Sequence, residues 1–164
     1  MEPGLESKGR RLVGQTIAKL TVDANGKTAL DAGFDPKNVV QYGLLINGLS
    51  DGFGHEEWAN FRRFTRVEVL RRSMVDAVLI YDDPKLIETV QWFADNSLKK
   101  GVIVPAKDAR QAAATGLFAA QKGALALTGS WLIHWYKENC KFDIGFAPLP
   151  KGAIEVDGRL AHSP

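Results

Sequence analysis

Lys122-Gly-Ala-Leu-Ala-Leu-Thr-Gly-Ser-Trp131 is the stretch of sequence that decides the predicted fold. Residues 124–127 form a short apolar run that indicates a buried strand, and Thr128-Gly-Ser130 gives the chain a sharp exit from it. Ser130 is a candidate N-cap, so we expect a helix to begin at Trp131 with its first backbone N–H groups exposed. Such donors beside an indole face suit a polar ring such as a sugar. The predicted ligand-binding edge therefore comprises Gly129, Ser130 and Trp131.

The composition is that of a globular protein. The chain has 164 residues, of which 45% are hydrophobic and 24% charged, so it fits one domain or one lobe of a larger protein. A formal net charge of +2 is too small to indicate a nucleic-acid partner. The single cysteine, Cys140, excludes an internal disulfide. No apolar run is long enough to span a membrane, and no signal peptide is recognised, so we expect a soluble chain.

Hydrophobic periodicity divides the chain into alternating helices and strands. We expect helices over 11–20, 84–98, 109–121 and 131–139, and strands over 39–46, 124–127 and 142–147. This alternation predicts an α/β layered domain with a substantially parallel sheet. The helix from residue 84 should turn an apolar stripe inward, formed by Leu86, Ile87, Val90, Phe93, Ala94 and Leu98. The expected organisation is a loose segment over 1–10, an α/β ligand-binding lobe over 11–141, and a hinge strand with a truncated tail over 142–164.

The segment from Asp23 to Thr28 imitates two ligand-binding loops without completing either. It ends like a phosphate-binding loop, but Thr21 occupies the position of the first glycine of that motif. It opens like a calcium loop, yet the later acidic ligands are absent. An Asn25-Gly26 turn is therefore the prediction.

Residues that could carry chemistry do not form a complete set. His134 and Glu138 lie one helical turn apart, but two ligands do not close a metal site. Ser130 sits at a strand-to-helix turn like a hydrolase nucleophile, without the flanking glycines of that motif. Cys140 lies near a helix end, where a lone cysteine is typical of a small hydrophobe. We predict no catalysis, no metal and no cofactor, with a hydrolase using Ser130 or Cys140 as an alternative.

An aromatic segment followed by arginines suggests a second alternative. Residues 55–64 are predicted to be a helix with Trp58 and Phe61 on one face. The basic cluster Arg62–Arg72 could serve a protein- or nucleic-acid-interaction module, although such a run is usually a solvated face.

Three segments carry a resemblance to a known family. They are Ile17-Ala-Lys-Leu-Thr-Val-Asp-Ala-Asn-Gly-Lys27 with Phe34-Asp-Pro36 and Gln41-Tyr-Gly43, then Gly123-Ala-Leu-Ala-Leu-Thr-Gly-Ser-Trp131, and Phe142-Asp-Ile-Gly-Phe-Ala-Pro-Leu-Pro150. In order and spacing they resemble the bacterial extracellular solute-binding proteins of sugar-uptake ABC transporters. The resemblance covers residues 11–150 and departs at Arg66-Val67, where many relatives carry a Gly-Gly pair.

The resemblance implies a lobe of the type II periplasmic-binding-protein fold, incomplete in this chain. Its parent would be the substrate-binding component of a sugar uptake system, holding carbohydrate in a cleft between two lobes. That parent would be extracytoplasmic, as a periplasmic protein or a cell-surface lipoprotein. Its implied partners are a carbohydrate or similar small polar solute and an ABC transporter permease, with no nucleic acid and with self-association of the fragment. Its implied ligand-binding residues are Trp131, Ser130, Gly129 and Trp58.

Overall fold

The structure is a computed structural model that describes residues 6–46, 70–72, 77–79, 84–147, 154–156 and 159–161. Its helices are α1 (Glu6–Leu20), α2 (Pro84–Ala94), α3 (Ala106–Ala119) and α4 (Ile133–Asn139). A π-helical turn, Asp95–Lys99, continues α2, and a 3-10 turn, Ser130–Leu132, precedes α4. The strands are β1 (Val22–Asp23), β2 (Val39–Leu45), β3 (Leu70–Arg72), β4 (Ala77–Leu79), β5 (Gly123–Ala126), β6 (Ile154–Val156) and β7 (Arg159–Ala161).

The central feature is a small mixed sheet of three strands in the order β1-β2-β5. β1 is antiparallel to β2, whereas β5 is parallel to β2, with Tyr42 opposite Gly123 and Leu44 opposite Leu125. Ile103 adds a parallel bridge to Leu44. β3 with β4, and β6 with β7, form separate antiparallel pairs. The predicted α/β class is confirmed in this form, a three-stranded mixed sheet with flanking helices.

Helices cover both faces of this sheet. Leu44 lies in a buried cluster with Ile17 of α1 and Phe93 of α2. Leu45 lies in a second cluster with Ala109 of α3. Because successive strand residues face opposite sides, α1 and α2 lie on one face of β2 and α3 lies on the other. None of the helices within the described residues is long and apolar enough to cross a membrane.

α1 approaches β2 at a glycine. A Cβ atom added to Gly43 would overlap the carbonyl oxygen of Ile17. Thr21, which is fully buried, joins the two elements, because its hydroxyl donates to the Ile17 carbonyl at 2.9 Å and accepts from the Gly43 N–H at 3.0 Å. The same N–H also points at the carbonyl of Val102, at 3.1 Å. Only a glycine allows this spacing between helix and strand.

Two predicted boundaries are wrong in position. α1 begins at Glu6, so residues 6–10 of the expected loose segment are helical. The last helix, α4, begins at Ile133 rather than at Trp131, because a 3-10 turn occupies Ser130–Leu132. The Gly129 carbonyl accepts the Leu132 N–H at 3.1 Å, which is the tighter bonding of a 3-10 turn.

The predicted hinge strand over 142–147 is also wrong. These residues lie in neither helix nor strand. Asp143, Gly145 and Phe146 are exposed, and no backbone ladder within the described residues pairs with this segment. Alternating apolar residues need a partner strand before they form a sheet, which the sequence pattern does not provide.

The inward face of α2 differs from the predicted apolar stripe. Phe93 is buried, but Ile87, Val90 and Leu98 are 55%, 45% and 78% exposed. Asn96 is buried instead, and its carbonyl accepts the N–H groups of residues 102 and 103. The π-helical turn also changes the angular spacing after Ala94, so Leu98 no longer follows the face that Phe93 defines.

β5 is only partly buried, although a buried strand was predicted. Leu125 is 42% exposed because β5 lies at the edge of the three-stranded sheet, where the helices do not fully cover it. At its start, a Cβ on Gly123 would overlap the Leu45 side chain, so the β2 and β5 backbones and side chains meet closely there.

Candidate functional site

The predicted ligand-binding edge lies where the chain leaves β5 for α4. The Leu127 N–H donates to the Leu45 carbonyl at 3.0 Å, so the chain follows β2 for one residue beyond β5. Gly129 is extended, with φ −92° and ψ 159°, and the 3-10 turn follows at once. Ser130 is exposed and makes no capping hydrogen bond through its side chain, so its predicted N-cap role is wrong. The cap position falls on Gly129, which has no side chain to cap with.

The indole of Trp131 is the most prominent feature of this turn. The residue is 65% exposed, and a Cβ added to Gly129 would overlap its ring. The ring therefore rests against the Gly129 backbone while much of its surface stays open to solvent. Gly129, Ser130 and Trp131 follow one another in this turn, whereas Trp58 lies outside the described residues.

Two buried hydroxyls lie next to this turn and were missed by the sequence analysis. Thr128 Oγ1 and the Tyr136 hydroxyl oxygen are both buried, and neither has a hydrogen-bond partner in the part of the chain that is described. Burial raises the pKa of Tyr136, and the neighbouring Thr128 hydroxyl acts in the opposite direction. The two hydroxyls are thus neighbours without the geometry of a hydrogen bond.

The Tyr136 ring is held by other aromatic side chains. It meets Phe118 of α3 edge-on, with ring centroids 5.4 Å apart and an interplanar angle of 83°. Trp135, the preceding residue, also meets this ring edge-on, with ring centroids 5.5 Å apart and an interplanar angle of 87°. The sequence gave no signal that the Tyr136 hydroxyl would lie near Thr128. The 3-10 turn and the packing of Tyr136 on Phe118 together bring these two residues close.

The described residues do not assemble the hydrolase alternative. The Ser130 hydroxyl makes no hydrogen bond to a base within the described ranges. Burial raises the pKa of the Cys140 thiol, which disfavours the thiolate that a nucleophile requires. The Cys140 N–H donates to the Tyr136 carbonyl at 2.9 Å, so this residue closes the end of α4.

His134 and Glu138 form an exposed pair on α4 rather than a metal site. His134 Nε2 lies 3.2 Å from Glu138 Oε1, and the two side chains are 83% and 61% exposed. Such a surface pair contributes little to stability and is ionic only when the histidine is protonated. No group of three or more metal-binding side chains occurs within the described residues.

The Asp23 loop is a structural turn. The Asp23 carboxylate accepts the N–H groups of Asp35, Lys27 and Asn25, each at 2.9 Å. These bonds, led by the one from Asp35, lower its pKa. Gly26 has φ +77° and its N–H donates to the Asp23 carbonyl, which confirms the predicted turn. Because the carboxylate oxygens are used within the loop, neither the calcium nor the phosphate reading has support.

The basic cluster Arg62–Arg72 falls almost entirely outside the described residues. Arg71 and Arg72 lie in the backbone of β3, and their side chains are not described. The structure therefore favours neither the interaction-module alternative nor the hydrolase.

Comparison with known proteins gives one structural similarity. No family model matches the chain, and no curated protein matches it. Among solved structures, the crystal structure of M. tuberculosis UspC, in its monoclinic form, matches with a TM-score of 0.72 and 27% sequence identity. The match covers 85% of this chain and 34% of the UspC chain. The chain thus spans about a third of the length of that protein.

These findings correct the family predicted from the sequence. The resemblance implied a solute-binding protein of a sugar-uptake ABC transporter, but no family model supports that membership, and the similar structure is UspC. The identification as a fragment of such a protein, the uptake function and the transport role are therefore withdrawn. The comparisons support a coarser conclusion, an α/β domain similar in fold to part of UspC.

Proposed function

We propose that this chain is a non-catalytic binding domain in which a small polar solute with a flat ring face, such as a carbohydrate, stacks on Trp131. The observation that carries the proposal is the 65% exposure of an indole that rests against the Gly129 backbone. Tryptophan is highly buried on average, and an aromatic face held open to solvent suits a ring that is apolar on one side and polar at its rim.

The position of the turn in the sheet supports the proposal. Ligands of open α/β sheets bind beyond the carboxyl ends of the parallel strands. β2 and β5 are parallel, and Trp131 follows the carboxyl end of β5 after a short extended segment. A ligand on the indole would therefore lie at the edge of the sheet where this fold class places its ligands.

Trp131→Ala tests the proposal in this protein. Calorimetry with D-glucose, maltose and myo-inositol as probes should give a loss of about 1–3 kcal/mol, the scale of a removed aromatic contact. Leu98→Ala is the matched control, because Leu98 is a large apolar residue that is 78% exposed on a different element. A folded Trp131→Ala protein with unchanged affinity for a bound probe would refute the assignment.

Three finer expectations remain proposals. The first is the type II periplasmic-binding-protein class for this lobe, which the parallel β2–β5 pair with helices on both faces supports. The others are self-association of the isolated chain and an extracytoplasmic location. Light scattering would test the self-association, and fractionation of cells that produce this protein would test the location.

A further inference from the structure

We infer that the hydroxyls of Thr128 and Tyr136 form a polar subsite beside Trp131 that binds a neutral, hydroxyl-bearing part of the ligand. The inference rests on the proposed function and adds to it a ligand class. A ring that only stacks on Trp131 could be any flat molecule, whereas this subsite selects one that carries hydroxyl groups.

The first argument is that both hydroxyls are buried without a partner. Thr128 Oγ1 and the Tyr136 hydroxyl have no hydrogen bond within the described residues, and Tyr136 is only 2% exposed. Buried polar groups in native proteins are nearly always paired, and an unpaired one destabilises the fold. Two adjacent exceptions indicate that their bonds are made to something other than this part of the chain.

The second argument is that the pair lies against the proposed binding turn. Thr128 directly precedes Gly129, the residue whose backbone carries the Trp131 ring. Tyr136 lies on α4, and its ring is fixed by edge-on contact with Phe118, at 5.4 Å. A fixed phenol and the residue that leaves the strand thus place two neighbouring hydroxyls next to the turn that carries Trp131.

The third argument concerns the chemistry of the ligand. A hydroxyl group can both donate and accept hydrogen bonds, so a pair of hydroxyls complements another hydroxyl or a neutral amide. Burial raises the pKa of Tyr136, so its phenol stays protonated and uncharged at neutral pH. A charged ligand group would lose its hydration at this buried point without gaining an opposite charge from either residue.

Access to the pair requires a local rearrangement. Both oxygen atoms are buried, so a ligand reaches them only when the side chains that cover them move. The ring lies on a 3-10 turn of three residues, Ser130–Leu132, and meets a glycine there instead of a side chain. A ligand that stacks on the exposed indole should also change the fluorescence of Trp131.

Tyr136→Phe and Thr128→Val test the subsite, since each removes a hydroxyl and nearly keeps the shape of the side chain. Calorimetry with D-glucose, maltose and myo-inositol should show affinity reduced about three- to tenfold by either variant, as expected for one neutral hydrogen bond. Thermal unfolding without ligand should be unchanged or shifted upward, because the variants remove unpaired buried hydroxyls.

The affinities and the ligand-free stabilities of these variants together test the subsite. Lower affinity with undiminished ligand-free stability supports the subsite. If Trp131→Ala weakens binding while Tyr136→Phe and Thr128→Val do not, the subsite is refuted and the proposed stacking stands. A clear drop in ligand-free melting temperature for both hydroxyl variants would mean that the hydroxyls are bonded within the fold, which also refutes it. Absence of wild-type binding to all three probes at millimolar concentration would overturn both proposals.

Discussion

Gly43→Ala should destabilise the protein strongly, because this glycine sets the distance between α1 and β2. The added methyl group would overlap the carbonyl oxygen of Ile17, which belongs to the helix backbone and cannot rotate away as a side chain can. Relief requires α1 to move off the strand. That movement would stretch both hydrogen bonds of the Gly43 N–H, to the Thr21 hydroxyl at 3.0 Å and to the Val102 carbonyl at 3.1 Å.

The expected loss lies at the upper end of the range for overpacking. Extra methyl groups in a packed interior typically cost about 1–3 kcal/mol, and a backbone obstacle leaves little room for cheap relaxation. We expect a loss of about 3 kcal/mol in the free energy of unfolding. Against a total of about 5–15 kcal/mol this is a large share. It corresponds to a fall of about 6–12 °C in melting temperature for a chain of this size.

Urea unfolding followed by far-UV circular dichroism measures this loss, provided that the slope of the transition is the same in both proteins. Gly145→Ala is the control, because no atom lies within 4 Å of the Cβ that it would add. A surface change of that kind should stay within about 0.5 kcal/mol. If Gly43→Ala matched this control, the close approach of α1 to β2 would be refuted.

Two further predictions concern pH. The Tyr42 hydroxyl donates to the Asp108 carboxylate at 3.1 Å. Burial together with this bond raises the pKa of Tyr42 to about 12 from 10.0. The contribution of Tyr42 to folding stability is therefore complete below pH 10 and is lost as pH rises towards 12. Tyr42→Phe should therefore flatten alkaline unfolding profiles, and an unchanged profile would contradict this. The pKa of Asp23 is lowered in the folded protein. The contribution of this carboxylate to folding stability is therefore fully present above pH 3.8, the usual pKa of an aspartate, and is lost as pH falls further. Asp23→Asn should reduce stability at pH 7 and weaken the acid dependence, whereas Asp143→Asn, at an exposed position, should leave stability at pH 7 within about 0.5 kcal/mol of the wild type.

The elements that could be predicted from sequence are those whose signal is local. β2 follows from a continuous β-rich run, and it appears over Val39–Leu45 as expected. α1 follows from apolar residues at helical spacing, with Ile17 buried in the core. The strand predicted over 142–147 failed because alternation shows only which residues could face a core. A partner strand is a tertiary fact that one segment does not encode.

The face of α2 shows why hydrophobicity alone was misleading. Asn96 is polar yet buried, because its carbonyl receives the N–H groups at residues 102 and 103 and its side-chain amide donates to the Trp92 carbonyl at 2.7 Å. These bonds fix which side of the helix turns inward. Val90 and Leu98 remain partly or largely exposed as a result. The sequence showed apolar residues at helical spacing, but it did not show which backbone groups needed a partner.

The sequence predicted the strand and the turn that form the candidate site, but it did not predict the side-chain contacts within the site. The apolar run over 124–127, followed by Thr128-Gly-Ser130, correctly indicated a strand followed by a turn. The next residue, Trp131, lies in that turn in the structure. The close contact between the Trp131 ring and the Gly129 backbone, which leaves no room for a Cβ atom at residue 129, follows from a 3-10 turn that the sequence did not predict. The Tyr136 hydroxyl entered the site only because α4 packs on Phe118.

Two kinds of buried polar group occur within the described residues, and the difference between them is what points to function. One kind is found at Thr21, Asp23 and Asn96. These residues are buried and use their polar side-chain atoms in hydrogen bonds to nearby backbone groups, as residues that stabilise a fold do. The hydroxyl oxygen atoms of Thr128 and Tyr136 are buried as well, yet they bond to nothing within the described residues. Fold stability alone gives no reason to keep such groups, since a valine and a phenylalanine would fill the same space without an unpaired hydroxyl. Their place next to the turn that carries the exposed Trp131 supplies the reason that we propose, since a bound ligand would complete the missing bonds.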